Sequence, residues 1–574
     1  MRKPNYDKEP STLLQGDVFV GWENIVRKLS KALENSRIWV LELYSGVYED
    51  QVEQAFAATG RKIVRTRDLF KSEDEIHNLT QRFMTDDSLF GYISNVRLDE
   101  YFDPSKTGKL SFEGDCEYIV IGTGASMIAP KDAPVIYFDM ARWEIQQRFR
   151  RHEVKAIGID NSSESPSLQY KRGYFNDWNI CDRLKTCLNK EERIVYWIDT
   201  NKADRPKMIS NKTFMEGISK TTHQPFRVVP FFDPAPWGGQ WMKEVCDLNR
   251  SAVNYGWCFD CVPEENSLFF KIDGELFELP SQDLVLFETR ELLGEAVESR
   301  FGKSFPIRFD FLDTMDGGNL SLQVHPTTQF VHDNFGIHYT QDESYYLVDA
   351  APDAVVYIGL KENVAKTQML ADLRRAQREG TSFDVEKYVN KIPTKKHDHF
   401  LIPNGTIHCS GRDSMVLEIS STPNLFTFKL YDWQRLGLDG KPRPINIDRG
   451  EEVIAWERDT NYVQTKLHNH FETISKNEDV VEERTGLHPN EFIETHRTSF
   501  STAVTHETRG SVNVLNLVEG EEVEVSSPTH DFEPLIVHYA ETFIIPASVK
   551  QYIIKPHGLS EGKRCMTIKA SVRI

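Results

Sequence analysis

The chain has 574 residues, of which 39% are hydrophobic and 27% charged, and its net charge is −19. This length is more than one hydrophobic core normally serves, so we expect roughly two to four domains. A basic surface, a run of about 18 apolar residues and a signal-peptide pattern are all missing, which predicts a soluble, cytoplasmic protein that binds neither nucleic acid nor membrane.

Residues 1–222 alternate between apolar stretches typical of buried strands and amphipathic stretches typical of helices. Strand-like examples are "SRIWVLELYSG" (36–46) and "APVIYFDM" (133–140), and helix-like examples are "EDQVEQAFAATG" (49–60) and "ARWEIQQRFRR" (141–151). This alternation predicts an N-terminal α/β domain with a mainly parallel sheet.

Two glycine turns in this domain invite comparison with phosphate-binding loops: "LYSGVYED" (43–50) and "GTGASMIAP" (122–130). Neither has the lysine and hydroxyl of a Walker A loop, and Met127 stands where G-x-G-x-x-G needs its third glycine. We interpret both as plain strand-to-helix turns. The domain faintly resembles nucleoside-kinase-type α/β domains, and that resemblance implies a kinase-like domain without catalytic machinery.

From residue 223 onward, short strands separated by Gly, Pro and Asp turns predict an all-β sandwich or barrel. We place one domain at 223–450, with a helical insert at about 362–390, and a second all-β lobe at 451–574. Among the eight cysteines only Cys258 and Cys261 have C-x-x-C spacing. A four-thiolate zinc site needs a second such pair, so we expect reduced, structural cysteines.

Polar residues in an otherwise apolar strand mark a candidate metal site. In "NLSLQVHP", Gln323 and His325 are two residues apart and therefore face the same side of a strand. The turn "IPNGTIH" brings His408 into the next strand, and Glu343 opens another apolar strand. A lone inward histidine is usually a core residue bonded to backbone. Together, however, the four residues suit Zn²⁺ with an open coordination position, with Fe, Mn and Co as alternatives.

These motifs resemble the class I mannose-6-phosphate isomerases, zinc enzymes built on the cupin jelly roll. The resemblance covers about residues 225–574 and rests on five segments in order: "PWGGQW" (236–241), "LSLQVHP" (320–326), "DESYYLVDA" (342–350), "IPNGTIHCSG" (402–411) and "FTFKLYDWQR" (426–435). It implies one Zn²⁺ per chain, held by Gln323, His325, Glu343 and His408. It also implies conversion of mannose 6-phosphate to fructose 6-phosphate through a cis-enediol intermediate.

The resemblance implies roles for the charged residues near the metal. Lys429 stands where the family has an arginine, and we expect it to stabilise negative charge on the enediol. Arg435 or Arg443 is expected to bind the anionic end of the sugar phosphate. Asp432 is the expected proton carrier, and Glu418 is expected to contact the sugar or to orient a neighbouring group.

Further substrate contacts are expected from Ser321, Arg308 and Trp237. One departure is marked, because Asp310 occupies the position of a lysine that family members usually carry. This puts specificity for phosphorylated sugars in question. Two alternatives therefore stay open: a non-catalytic regulator that binds a sugar or sugar phosphate, and another cupin metalloenzyme such as an oxygenase.

The stretch "ETFIIPASVKQY" (541–552) repeats the pattern of "HFLIPNGTIHC" (399–409) near the end of the chain. Counting from the shared proline, Gln551 falls where His408 stands. We therefore predict a second jelly-roll lobe without metal ligands.

Overall fold

The computed structural model describes residues 4–112, 114–423, 425–486 and 488–574. Two compact units divide the chain. The N-terminal unit comprises Ser11–Thr221 and Glu264–Glu288, and the β-rich unit comprises the segment ending at Pro10, Thr222–Pro263 and Thr289–Ile574. No helix in the described ranges is long and apolar enough to cross a membrane.

The N-terminal unit is an α/β layer structure. Its strands are β1 Ser11–Leu14, β2 Phe19–Val20, β3 Ile38–Leu43, β4 Lys62–Arg65, β5 Tyr118–Gly122, β6 Val135–Asp139, β7 Ile194–Asp199, β8 Lys207–Ser210, β11 Ser267–Ile272 and β12 Glu275–Pro280. Its helices are α1 Trp22–Ala32, α2 Glu49–Phe56, α3 Glu73–Met84, α4 Pro104–Thr107, α5 Ala125–Ile128, α6 Arg142–Arg150, α7 Pro166–Arg172, α8 Trp178–Lys190, α9 Asn211–Thr221 and α11 Gln282–Phe287.

The main sheet of this unit has the order β2-β8-β7-β6-β3-β5-β4. Adjacent strands from β7 to β4 pair in parallel, whereas β8 pairs antiparallel with both β7 and β2. Every residue of β3 and of β6 is buried, as expected for parallel strands covered on both faces. The sheet is therefore mainly parallel.

The turn that begins at Gly122 does not offer its backbone N–H groups to a ligand. Glu42, buried on β3, accepts hydrogen bonds from the backbone N–H of Gly124 at 2.6 Å and of Ser126 at 2.8 Å. Burial raises the pKa of Glu42 to about 7, against the opposing effect of these hydrogen bonds. The protein's own carboxylate thus occupies the anion position of this turn.

Residues 264–288 correct one predicted boundary, because the sequence analysis assigns them to the all-β part of the chain. In the structure β11 pairs in parallel with β1, and both belong to the N-terminal unit. Within the same segment, Asp283 forms a buried ion pair with Lys185 at 2.8 Å, and Lys185 also binds Asp139. Chain order does not reveal this pairing, because a β-hairpin carries no local mark of the sheet it joins.

The β-rich unit contains the remaining strands: β9 Phe231–Asp233, β10 Trp257–Cys261, β13 Ile307–Asp313, β14 Leu322–Val324, β15 Glu343–Ala350, β16 Val355–Leu360, β17 Val389–Pro393, β18 His399–Ile402, β19 His408–Ser410, β20 Ser414–Ser421, β21 Phe428–Tyr431, β22 Glu472–Lys476, β23 Val480–Gly486, β24 Ile493–Phe500, β25 Val504–Glu507, β26 Asn513–Glu519, β27 Glu522–Ser526, β28 Leu535–His538, β29 Thr542–Ile545, β30 Gln551–Pro556 and β31 Cys565–Val572. Its helices are α10 Trp241–Val245, α12 Thr289–Leu293, α13 Glu295–Phe301, α14 Thr328–Phe335, α15 Lys366–Glu379, α16 Val385–Tyr388, α17 Ile447–Val453 and α18 Thr460–Tyr462.

Two lobes of paired sheets make up this unit. The first lobe has a six-stranded sheet, β18-β15-β20-β13-β10-β9, and a five-stranded sheet, β17-β16-β19-β14-β21. The second lobe has a six-stranded sheet, β29-β26-β31-β24-β23-β22, and a four-stranded sheet, β28-β27-β30-β25. The strand orders of the two lobes match position by position, which is the arrangement of a repeated jelly roll. Helices α15 and α16 form the insert within 362–390.

All eight cysteines lie in the described ranges and none forms a disulfide. Cys258 and Cys261 are both buried on β10. The group of metal-ligating side chains found in the described residues does not include them.

Candidate metal centre

The candidate site lies between the inner faces of the two sheets of the first lobe. On β14, Gln323 pairs with His408 of β19 and with Lys429 of β21. Partners that lie directly opposite in an antiparallel sheet point to the same face. Gln323, His408 and Lys429 therefore face one side together, and His325, two residues beyond Gln323, joins them.

The facing sheet contributes acidic groups. Glu343 opens β15 and lies opposite Ser420 of β20, while Asp310 of β13 lies opposite Glu418 of β20. Since Glu418 and Ser420 are two residues apart on one strand, both pairs face the same way. Three carboxyl groups thus line the inner face of this sheet.

The two sheets meet at a buried group of His325, Glu343 and His408, whose ligand atoms all lie within 4.8 Å of one another. Glu343 Oε1 is 2.7 Å from His408 Nε2, and Glu343 Oε2 is 3.2 Å from His325 Nε2. The amide nitrogen of Gln323 is 3.3 Å from His408 Nε2. The structure brings together all four residues that the sequence analysis selects as metal ligands.

The hydrogen bonds around these residues fit a divalent metal. His325 Nδ1 lies 3.2 Å from the carbonyl oxygen of Phe426, and His408 Nδ1 lies 2.9 Å from that of Thr406. A carbonyl only accepts, so each Nδ1 carries the proton and each Nε2 presents a lone pair to the site. His325 Nε2 and Glu343 Oε1 are buried and have no hydrogen-bond partner of acceptable geometry.

The charge on Glu343 is favoured by its surroundings. Burial would raise the pKa of this carboxyl, but Coulombic attraction and hydrogen bonds from His325 and His408 in their protonated form hold it well below its ordinary value, and a bound cation would take over that role. An ionised carboxylate with two imidazole nitrogens and an amide oxygen is a donor set that suits Zn²⁺ and several other divalent ions.

Glu418 is linked to Glu343 through a residue that the sequence analysis misses. Gln341 donates from one amide nitrogen to Glu343 Oε2 at 3.0 Å and to Glu418 Oε1 at 3.1 Å. Burial, followed by the neighbouring charges of Asp310 and Glu343, raises the pKa of Glu418 well above its ordinary value. The position of Gln341, two residues before Glu343, is the sequence signal that points to it.

Asp310 is part of the wall of the site. It is 4% exposed, and Arg308, two residues earlier on β13, is 1% exposed. Burial raises the pKa of Asp310 to about 7, with Arg308 lowering it and Glu343 raising it further. A buried acid beside a buried arginine thus forms this part of the wall.

A basic group lies on the other side of the site. Lys429 is half-buried, and burial followed by the charge of Arg443 lowers its pKa to about 8. The Asp432 carboxylate accepts from Arg435 at 2.8 Å and from Arg443 Nε at 2.6 Å. Arg435 also donates to the carbonyl oxygen of Asn319, just before β14. Asp432 therefore holds the Arg435 and Arg443 side chains next to each other.

Trp237 and Ser321, two predicted substrate contacts, are each 2% exposed. The Trp237 ring packs edge-on against Trp257 with centroids 5.2 Å apart. The glycines that follow Trp237 allow close backbone packing, since a Cβ on Gly239 would lie 2.1 Å from Asp313 Oδ1. The W-G-G segment thus has a packing role in this fold.

Comparisons with known proteins each match part of the chain. A family model described as a domain of unknown function (DUF8485) matches residues 21–223. A mannose-6-phosphate isomerase from Streptococcus mutans is 27% identical over 227 residues, which is 39% of this chain and 66% of that protein. Mannose-6-phosphate isomerase ManA and the probable mannose-6-phosphate isomerase GmuF, both from Bacillus subtilis, are 25% and 28% identical, each over 41% of this chain and 69% of the relative.

Among solved structures, a mannose 6-phosphate isomerase from Bacillus subtilis aligns over 60% of this chain and 99% of its own, with a TM-score of 0.49 and 18% identity. Fold and site together define a two-lobed jelly-roll protein with a candidate metal centre. Within that class, the curated relatives confirm the predicted resemblance to the mannose-6-phosphate isomerase family.

Proposed function

We propose that the protein is a metal-dependent aldose–ketose isomerase that interconverts mannose 6-phosphate and fructose 6-phosphate, or a closely related sugar pair. The observation that carries the proposal is the buried set of Gln323, His325, Glu343 and His408, with both histidine Nε2 atoms presented to one point. The curated relatives named mannose-6-phosphate isomerase support it, although the chain spans only 66% of the first of them. Zn²⁺ is the expected ion, and Fe, Mn and Co remain alternatives.

The reaction moves a proton between C1 and C2 of the sugar and develops negative charge on the neighbouring oxygens. When bound, the ion supplies Lewis-acid polarisation of those oxygens. Lys429, next to Gln323 in the sheet, is placed to stabilise the same negative charge. Arg435 and Arg443, oriented by Asp432, are placed to bind the anionic end of the substrate.

The acidic residues on the inner face of the six-stranded sheet are better candidates for the proton carrier than Asp432. A proton transfer at Asp432 would disturb its ion pairs with two arginines, whereas Asp310 and Glu418 face the interior from neighbouring strands. We therefore assign Asp432 a positioning role. Asp310 and Glu418 become the candidate carriers, and Glu418 additionally holds Gln341 against the ligand Glu343.

One observation favours a second function, a non-catalytic sugar-binding regulator. Asp310 replaces a base with an acid in the wall of the site, which disfavours a phosphate in that part of the cavity. A binding protein tolerates that change, because it has no catalytic charge to stabilise with a basic group at this position. A metal-dependent oxygenase is less well supported, since Gln323 adds an amide to the two histidines and one carboxylate that iron oxygenases favour.

The test is a coupled assay on protein stripped with a chelator and then reloaded with Zn²⁺. We expect turnover of mannose 6-phosphate by the reloaded protein and none by the stripped protein. Binding of a sugar phosphate without turnover would favour the regulator. Metal-loaded protein that converts neither the sugar phosphates nor the free sugars would end the isomerase proposal.

A further inference from the structure

The matched strand orders allow the interior of the second lobe to be compared with the metal centre of the first. Strands β25 and β30 take the places of β14 and β19. His506 lies opposite Tyr552 in this pair, as Gln323 lies opposite His408 in the first lobe. Both His506 and Tyr552 are buried, and their rings stack with centroids 5.3 Å apart.

The position of the ligand glutamate is taken by an asparagine. Asn513 opens β26 and lies opposite a serine and an isoleucine, Ser571 and Ile545, on the two flanking strands. Glu343 opens β15 and likewise lies opposite a serine and an isoleucine. The Tyr552 hydroxyl donates to Asn513 Oδ1 at 3.0 Å. A hydrogen bond therefore links the two residues that take the positions of His408 and Glu343 in this lobe.

The wall of the second lobe is basic where that of the first is acidic. Lys569 of β31 lies opposite His496 and Leu515, in the places that Glu418, Asp310 and Tyr345 occupy in the first lobe. Leu515 belongs to the hydrophobic core of the lobe, so its cross-strand partners also face inward. Lys569 and His496 thus take the positions of Glu418 and Asp310.

Most charged groups at this end of the lobe are already paired. Glu482 binds His496 Nδ1 at 2.9 Å, and Glu494 binds Arg484 Nε at 2.5 Å. Lys569, in contrast, forms no ion pair within 4.0 Å with a carboxylate of the described residues. Its side chain is half-buried, and burial lowers its pKa, with Glu482 opposing and Arg509 reinforcing that effect.

His506 adds a second polar atom without a partner. The residue is 6% exposed, and its Nε2 atom is buried with no hydrogen-bond partner in the described part of the chain. Burial, followed by the charge of Lys569, lowers the pKa of His506 to about 3 and keeps the imidazole neutral. A neutral imidazole can donate one hydrogen bond from Nε2 if its proton is placed there.

We propose that the interior of the second lobe binds a small oxyanion, a phosphate or carboxylate group, between Lys569 Nζ and His506 Nε2. An oxyanion accepts hydrogen bonds from both atoms at once and supplies the negative partner that the Lys569 ammonium group lacks. The side chains of Glu482, Arg484 and Lys569 are partly exposed, so we infer that the ligand enters at this end of the lobe. This site is independent of the proposed isomerase activity.

The test is isothermal titration of the full-length protein with inorganic phosphate and, separately, with malonate. We expect saturable binding of at least one anion. The anion that binds with the higher affinity shows whether the site prefers a phosphate or a carboxylate group. Lys569→Met should weaken binding at least tenfold and Lys569→Arg should retain it. Lys555→Met is the matched control, because Lys555 on β30 is half-exposed and already paired with Glu524 at 3.0 Å.

The first lobe also carries basic side chains that attract anions, so the location of binding needs its own readout. His506→Phe keeps the stacking on Tyr552 but removes Nε2, and it should weaken binding as Lys569→Met does. In histidine NMR spectra of the wild-type protein, the signal assigned with His506→Phe should shift on anion binding. Absence of saturable binding by both anions, or equal affinity in wild type, Lys569→Met and His506→Phe, would overturn the proposal.

Discussion

Replacing His408 with alanine is expected to remove most of the affinity of the first lobe for its metal. His408 Nε2 lies 2.7 Å from Glu343 Oε1 and 3.3 Å from the Gln323 amide, at the centre of the ligand set. Removing a residue that only hydrogen-bonds to a metal ligand already lowers metal affinity about 10–100-fold. Loss of the ligand itself should cost at least about 100-fold, or about 3 kcal/mol. Competition with a chelating dye measures this change directly.

The matched control is His332→Ala. His332 lies on α14 with a side chain 60% exposed and pairs with its neighbour Asp333 at 3.0 Å. This variant should bind metal as the wild type does. Unchanged metal affinity in His408→Ala, in protein that keeps its far-ultraviolet circular dichroism, would refute the assignment of His408 as a ligand.

Three further predictions concern positions outside the ligand set. The pKa of Glu42 rises from about 4.3 in an unfolded chain to about 7 in the fold, so the wild type should lose stability as the pH rises between those values, and Glu42→Gln should remove this slope in thermal unfolding. Lys185→Met should destabilise the N-terminal unit by about 3–5 kcal/mol in urea unfolding, because it leaves two buried aspartates unpaired, and the added changes Asp139→Asn and Asp283→Asn should recover part of the loss. Asp432→Asn should raise the KM for a sugar phosphate about tenfold, since Arg435 and Arg443 lose their clamp, and an unchanged KM would argue against these arginines as phosphate ligands.

The candidate metal ligands can be selected from the sequence because their signals are local. Gln323 and His325 follow the two-residue period of a strand, and the proline and glycine of the 402–411 segment fix the turn that delivers His408. The environment of Asp432 was not predictable in the same way. Arg435 and Arg443 follow Asp432 in the same loop. Whether both guanidinium groups reach its carboxylate depends on the path of that loop in space.

Pairing between strands far apart in the chain limits how much of the fold can be predicted from the sequence. The alternation of strands and helices in residues 1–222 predicts the α/β unit, but nothing within 264–288 indicates that β11 pairs in parallel with β1. Parallel pairing between strands about 250 residues apart leaves no periodic signal in either strand. The buried ion pair of Lys185 with Asp283 is likewise visible only once the hairpin is placed.

The second lobe shows how one residue in a turn changes which side chain faces the interior. In the first lobe the turn uses Gly405 at φ 83° and delivers His408 to the inner face. In the second lobe a 3-10 turn over Ala547–Val549, followed by Lys550 at φ 63°, leads into β30. Side chains alternate along a strand, so the shift of one position that this turn introduces exchanges the two faces. Gln551, which the sequence repeat aligns with His408, is exposed, and Tyr552 takes the inward position opposite His506. The sequence repeat therefore aligns the wrong residue with His408, because Tyr552 takes the register position that His408 has in the first lobe.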